Sequence, residues 1–276
     1  MKWVGVDVGG TFTDAVVYDD DTQKYSYAKA PSSLTDPTMG VLDVLESLSI
    51  NFENIGRFVH GVTIGTNAIL QGKGAVVWML TTRGFRDVLE IARTNRPVLY
   101  DIKSLKLQPL IPRTRTFEIS ERIRYDGSIE REIELEDVHR AVQNIDGDYD
   151  VALAICFLHS YANATHEIAA KQLCEKLRPD LFVCNSHEVL AQFREYERFS
   201  TTALNAILGP LMSQYFSHLK ASLEEHGYRH DIYIMTSNGG VSTVERAKQL
   251  PIATVLSGPA GGVAAAVYLG KKYDLP

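Results

Sequence analysis

Trp3 to Val8 is an apolar strand carrying one carboxylate, Asp7, and it turns on Gly9, Gly10 and Thr11 into a second alternating strand, Thr13 to Tyr18. A chain that opens this way starts with a β-hairpin, not with a strand feeding a helix. The turn has a chemistry of its own. Two adjacent glycines let the backbone approach a polyanion and aim successive N–H groups at it. Thr11 and Thr13 add hydroxyl donors on either side of Phe12. Asp7, expected to be buried, stands where a Mg²⁺-bound water can be held, since Mg²⁺ keeps several waters and takes one or two carboxylates. The same residues also describe a plain glycine turn whose aspartate caps it. A dinucleotide fingerprint needs G-x-G-x-x-G opening a helix, and Asp7 occupies the position of its second glycine; no P-loop string occurs.

The order of elements that follows predicts the fold class. Tyr25 to Ala30 reads as a third strand. Asp36 then Pro37 is an N-cap with proline at the first helical position, and Met39, Val41, Leu42, Leu45 and Leu48 form the apolar face of that helix. A strand over 57–60, a helix carrying Ala68, Ile69 and Leu70, and a strand over 75–80 complete the order of a ribonuclease-H-like α/β domain. Between the last two strands lies His60-Gly61-Val62-Thr63-Ile64-Gly65-Thr66-Asn67. Its helix start favours anions; it reads equally as a helix capped by Thr63 or Thr66, with His60 a hydrogen-bonded core histidine. Arg83, Arg86, Arg93 and Arg96 then follow a strand end, where they suit a carboxylate or phosphate, or serve as solvated charges.

From Val98 to Glu134 the texture becomes β-like. Residues 113–119 alternate, and Asp126-Gly127 is a two-residue hairpin signal. Spacing alone assigns no chemistry to Glu121 or Arg122. A helix over 136–144, an apolar strand over 151–158, a helix from Thr165 with Ile168, Leu173 and Leu177 on one side, and a short strand over 181–184 continue an α/β layer. His187 and Glu188 are adjacent, so their side chains point apart. Glu195 to Glu225 is helical, with a kink or restart expected at Gly209-Pro210. A strand over 232–235 ends in Gly239-Gly240, which either admit a ligand or make a simple turn. Gly258, Gly261 and Gly262 lead into a small-residue helix, Val263 to Gly270.

Five of these segments, Gly5–Asp14, His60–Asn67, Thr81–Tyr100, Ser237–Gly240 and Ser257–Gly262, occur in an order and wording that resembles the hydantoinase/5-oxoprolinase family. That family lies within the actin, sugar kinase and heat-shock ATPase superfamily. The resemblance implies an α/β, ribonuclease-H-like (actin-like ATPase) lobe with a β-rich insertion and further α/β elements. The divisions it implies are a phosphate-loop core over 1–97, the insertion over 98–135, and a remainder over 136–276 ending in an inter-lobe connecting helix. It implies ATP and Mg²⁺ as cofactors, a cyclic amide as substrate, a second ATPase lobe absent from this sequence, and a partner subunit of the hydantoinase B type. The site residues carried over are Asp7, Thr11, Thr63 and Arg83 as catalytic, with Asp7 holding Mg²⁺ through water. Gly9, Gly10, Thr11, Phe12, Thr13, Gly239, Gly240, Gly258, Gly261 and Gly262 are carried over toward nucleotide. His60, Gly61, Thr66, Asn67 and Arg96 face substrate in this reading. The implied activity is phosphorylation of an amide carbonyl before hydrolytic ring opening, with the isolated chain inactive. The competing readings are a subunit of an ATP-dependent ketone carboxylase and a nucleotide-binding module without turnover.

Composition removes other classes. The net charge of −6 over 276 residues and the lack of a Lys/Arg-rich run give no nucleic-acid surface. No apolar run reaches the ~18 residues of a spanning helix, and the first strand begins at once, unlike a signal peptide. Cys156, Cys174 and Cys184 show no C-x-x-C spacing and are expected as buried thiols of a cytoplasmic protein.

Overall fold

The computed structural model describes residues 1–33, 36–95, 98, 100–104, 108–147 and 150–274. They form two units, Met1–Lys73 with Leu211–Pro276, and Gly74–Pro210.

The first unit begins with β1 (Lys2–Val8), β2 (Phe12–Asp19), β3 (Lys24–Pro31), α1 (Pro37–Ser47), β4 (Ile55–Val62) and α2 (Ile64–Leu70). The β1–β2–β3 meander is antiparallel, and β4 runs parallel to β1. Val4, Val6 and Val8 alternate into the core opposite Val41, Val44 and Leu45 of α1, as a period-2 strand facing a helix stripe requires. Asp36 caps α1 by accepting from Thr38 N–H at 3.0 Å, with Pro37 in the first turn as expected. Met39, placed on the apolar face by spacing, is instead exposed; the buried stripe runs through Thr38, Gly40, Val41, Leu42, Val44 and Leu45.

The second unit contains β5 (Val76–Thr82), α3 (Val88–Ile91), β6 (Thr116–Ile119), β7 (Arg122–Ile123), β8 (Ile129–Arg131), α4 (Leu135–Gln143), β9 (Val151–Cys156), α5 (Thr165–Leu177), β10 (Phe182–Asn185) and α6 (Ser186–Val189), and ends within α7 (Glu195–Glu225). Its sheet, in the order β10-β9-β5-β6, is parallel throughout. β9 is buried at every residue, the mark of a parallel strand covered on both faces. The Asp126-Gly127 hairpin forms between β7 and β8, with Gly127 at φ +83°. On α5 the fully buried positions are His166, Glu167, Ala170 and Cys174, whereas Ile168 is exposed.

α7 runs through Gly209-Pro210 as one 31-residue helix, not as a broken one. Proline leaves the carbonyl one turn earlier without its N–H partner. Gly209 has a packing reason instead: a Cβ there would stand 2.3 Å from the Phe182 ring.

The chain returns to the first unit with β11 (Ile232–Met235), β12 (Val241–Thr243), α8 (Val244–Gln249) and α9 (Ser257–Tyr273). The six-stranded order is β12-β11-β4-β1-β2-β3. The strand beside β4 is therefore β11, and the apolar strand at 76–82 that local order had put there belongs to the other sheet. Sequence order suggested neighbours, and a unit of 137 residues, 74–210, stands between them in the chain.

All three thiols are buried, and burial pushes Cys174 and Cys184 up to about 12 and Cys156 well above the usual thiol range. None is poised as a thiolate nucleophile. Among the described residues no helix is long and apolar enough to cross a membrane.

Candidate functional site

β1, β4 and β11 are parallel, so the segments after them leave one edge of the first unit's sheet, with neighbouring strands about 4.8 Å apart. Here the sheet brings together the Gly9–Thr11 turn, Thr63–Asn67 and the Thr236–Gly240 turn.

Asp7 is exposed, contrary to the buried placement expected of it, because Val6 and Val8 take the core face and alternation turns Asp7 to the other. It lies in register with Asp14 on β2 and Gly61 on β4. A Cβ on Gly61 would stand 2.9 Å from Asp7 Oδ1, so glycine at 61 leaves room for the carboxylate. Asp14 is paired with Lys29 at 2.9 Å, whereas Asp7 has no hydrogen-bond or ion-pair partner among the described residues. Although the residue as a whole is exposed, desolvation of its carboxyl head, and then the Asp14 charge, hold its pKa above the usual range. A cation placed there would relieve both effects.

The turn is held from beneath. Gly9 N–H donates to Phe12 O at 3.0 Å, Ser32 Oγ donates to Gly9 O at 2.9 Å, and Ser32 N–H donates to Thr11 O at 2.9 Å. Thr13, expected to offer its hydroxyl outward, is fully buried and bonded to Ser32 Oγ at 3.0 Å. It supports the turn. Phe12 is exposed with Lys29 Nζ over its ring. The N–H groups of Gly10 and Thr11 have no acceptor among the described residues. Ser32 is the residue sequence reading missed, since nothing in its spacing marks it as the clamp.

Thr63 N–H and Oγ1 both donate to Val8 O at 3.1 Å, and Asn67 Nδ2 donates to Thr63 Oγ1 at 3.4 Å. The Asn67 amide lies 3.7 Å from where a Cβ of Gly10 would be. Thr66 Oγ1 accepts from Leu256 N–H at 3.1 Å, and Ser257 Oγ donates to Val62 O at 3.4 Å. Neither threonine hydroxyl caps α2; they tie the ends of β1, β4 and α9 together. Gly239, at φ +82°, and Gly240 form the β11–β12 hairpin turn, in which Gly240 N–H donates to Asn238 Oδ1 at 2.9 Å. Gly258, Gly261 and Gly262 fall on the first two turns of α9, where Gly261 faces Met235 on β11.

His60 does not face this edge. It is fully buried, its Nε2 bonded to Tyr215 OH at 2.7 Å, and burial lowers its pKa to about 4. A native histidine that stays neutral while its unfolded counterpart protonates makes stability fall with pH. The loss starts as pH drops below about 6.5 and reaches roughly 3 kcal/mol by pH 4. Thermal unfolding from pH 7 to 4 is expected to show this fall, and His60→Gln to flatten it. Equal pH dependence in the two proteins would contradict the assignment.

In the second unit, Arg83 follows β5 and its exposed guanidinium approaches Asp137 at 3.4 Å. Arg86 donates to Arg113 O, and Arg93 pairs with Glu197. Arg96 lies outside the described residues. His187 and Glu188 have separate partners, Glu167 and Lys171, as their adjacency required.

Among the described residues no three His, Cys, Asp or Glu side chains form a metal cage. A single free carboxylate beside open backbone N–H groups instead fits Mg²⁺ carried by a phosphate chain. Fold and edge together define a ribonuclease-H-like lobe of the actin-like ATPase class. Residues 3–178 match the hydantoinase/oxoprolinase N-terminal region and residues 198–275 match hydantoinase/oxoprolinase. The chain belongs to the hydantoinase/oxoprolinase family.

An uncharacterized protein of Methanocaldococcus jannaschii is 38% identical over 272 residues, covering 97% of this chain and 40% of that protein. Caprolactamase subunit alpha of Pseudomonas jessenii is 31% identical over 285 residues, covering 99% and 40%. A crystal structure of ATP-dependent caprolactamase from that organism matches with a TM-score of 0.83 over 98% of this chain and 40% of its own. A nucleotide-free structure of acetone carboxylase, at 24% identity, shares the fold with a TM-score of 0.86 over 99% and 41%. The chain thus spans about 40% of the length of these relatives.

Proposed function

We propose that this chain is the N-terminal part of an ATP-dependent amidohydrolase that opens cyclic amides. The observation that carries the reading is the unpartnered Asp7 carboxylate, seated over Gly61 beside the free N–H groups of Gly10 and Thr11. Support also comes from relatives named for ATP-dependent lactam hydrolysis and oxoproline cleavage.

An amide carbonyl is a poor electrophile. In the proposed reaction its oxygen attacks the γ-phosphorus of ATP and ADP leaves; one water adds to the activated carbon, the ring C–N bond breaks as the nitrogen takes up a proton, and a second water cleaves the resulting acyl phosphate to carboxylate and phosphate. Catalysis of phosphoryl transfer is mainly positioning and charge stabilisation. Gly10 and Thr11 N–H groups cradle phosphate oxygens, while Ser32 and Thr13 keep the turn in shape. Thr63 and Asn67 fix the neighbouring helix start against the turn. Mg²⁺, held through water by Asp7, would neutralise phosphate charge. In this reading the exposed Thr11 hydroxyl contacts phosphate. In this reading a second lobe and a partner subunit complete the enzyme; the name "subunit alpha" gives the caprolactamase a further subunit.

Phosphate release tests the reading in the chain joined to a second lobe and combined with its partner subunit, against 5-oxoproline, hydantoin, caprolactam, and a ketone with bicarbonate. Release driven by one of the lactams or hydantoin, with a ring-opened product, is the expected result. Release driven by the ketone alone would make the protein a carboxylase subunit instead.

A further inference from the structure

In the first unit α7 ends on a fixed turn. Tyr228 N–H donates to Leu223 O at 3.0 Å and Gly227 N–H to Glu224 O at 3.1 Å, with Gly227 at φ +98°, so the helix closes in a Schellman cap. Tyr228 is then buried against the Phe58 ring, and its hydroxyl donates to Asp231 O at 2.7 Å. The backbone from Glu224 to Asp231 is thereby set before β11 begins. Together with Thr243 to Glu245, at the start of α8, it walls a cavity of about 200 Å³. Pockets for drug-sized ligands run to roughly 300–1,000 Å³, so an occupant here is small. The cavity lies at the start of β11, whereas the Thr236–Gly240 turn of the phosphate edge follows that strand's other end.

Its wall carries both signs of charge. Lys220 is satisfied, since its Nζ donates to Glu245 Oε1 at 2.7 Å. Glu224 and Asp231 use their backbone carbonyls, but neither carboxylate has a hydrogen-bond or ion-pair partner among the described residues. Arg229 is exposed; its guanidinium donates to Glu224 O at 3.0 Å and meets no carboxylate among the described residues. Two unpaired carboxylates and one unpaired guanidinium therefore line the same small cavity. Carboxylates take an ammonium group, and a guanidinium takes a carboxylate. The C-terminal end of α7, negative by its dipole, adds to the attraction for a cation. A ligand with only one of the two charges leaves the opposite wall unpaired, and one carrying both satisfies it.

We propose that this cavity binds a small amino acid zwitterion, its ammonium held by Glu224 and Asp231 and its carboxylate by Arg229. Hydrolytic opening of a lactam releases a molecule of this class, since the broken C–N bond leaves a carboxylate and an amine on one chain. The assignment of the ligand as product rests on the amidohydrolase reading above, while the charge pattern stands on the first unit alone. Because the cavity and the phosphate edge lie at opposite ends of β11, bound amino acid and nucleotide do not compete.

Calorimetric titration of the full chain with 6-aminohexanoate and with glutamate tests it. Hexanoate and glutarate, which lack the ammonium group, and hexylamine, which lacks the carboxylate, are run as controls. Arg229→Gln and the double variant Glu224→Gln/Asp231→Asn are compared with the parent, and circular dichroism confirms that each is folded. The expected result is saturable binding of at least one of the two amino acids, at least tenfold weaker binding of the compounds lacking one charge, and a loss of tenfold or more in each variant. Binding of neither amino acid, equal binding of the controls, or undiminished binding by the folded variants would overturn the site. Displacement of the amino acid by a non-hydrolysable ATP analogue would overturn its separation from the phosphate edge. Amino acid binding without lactam-driven phosphate release in the complete enzyme would keep the zwitterion site and overturn its assignment to product, so the two readings fail separately.

Discussion

Glu167→Ala is expected to destabilise the second unit by about 3–5 kcal/mol, the cost of breaking a buried charged cluster by removing one member. Glu167 is fully buried and accepts four hydrogen bonds: from Phe157 N–H at 2.9 Å, Ser186 Oγ at 2.6 Å, His187 N–H at 3.0 Å and His187 Nδ1 at 2.7 Å. The fully buried Arg198 reaches the same Ser186 hydroxyl at 3.1 Å. Alanine leaves two backbone donors unsatisfied and removes the acceptor of the Ser186 hydroxyl to which the buried guanidinium donates. Each orphaned donor alone costs about 1–3 kcal/mol. Denaturant unfolding measures the effect as a shifted midpoint at unchanged slope. A loss under about 1 kcal/mol, the size of a surface pair, would mean that water replaces the carboxylate.

Gly61→Val is expected to weaken binding of a Mg²⁺-nucleotide by more than tenfold while the lobe stays folded. The added Cβ falls 2.9 Å from Asp7 Oδ1, closer than real contacts allow. The neighbour that must give way is a carboxylate with open space on its exposed side, so the strain is released by moving Asp7 and not by opening the sheet. Unchanged affinity in Gly61→Val would show that the position of Asp7 is immaterial to the nucleotide.

Much of this was legible in the sequence, because it is local. The β1–β2 turn, the Asp36-Pro37 helix start and the Asp126-Gly127 hairpin each rest on chemistry between residues a few positions apart. The segments that meet at the strand ends were also legible, since glycine and threonine runs mark them. What escaped was set by pairing over long chain separations. β11 follows β4 by some 170 residues, and no local pattern distinguishes it from β5 as the neighbour of β4. His60 lay open between core and site until Tyr215, 155 residues away, supplied its partner. Glu121 had no visible chemistry from spacing; the fold bonds it to Thr82 and, at 2.8 Å, to His166. Asp7 was misjudged for a simpler reason: an apolar run conceals which face each residue takes, and burial of alternate valines puts the carboxylate outside.

As proposed, Asp7 and the Gly9–Thr11 turn bind the phosphates of a Mg²⁺-nucleotide. Titration of the chain with a non-hydrolysable ATP analogue, with and without Mg²⁺ and repeated on Asp7→Asn, tests it most directly. Mg²⁺-dependent binding by the parent and a loss of at least tenfold, about 1.4 kcal/mol, in Asp7→Asn are expected. Binding that is the same in both proteins, or indifferent to Mg²⁺, would contradict it.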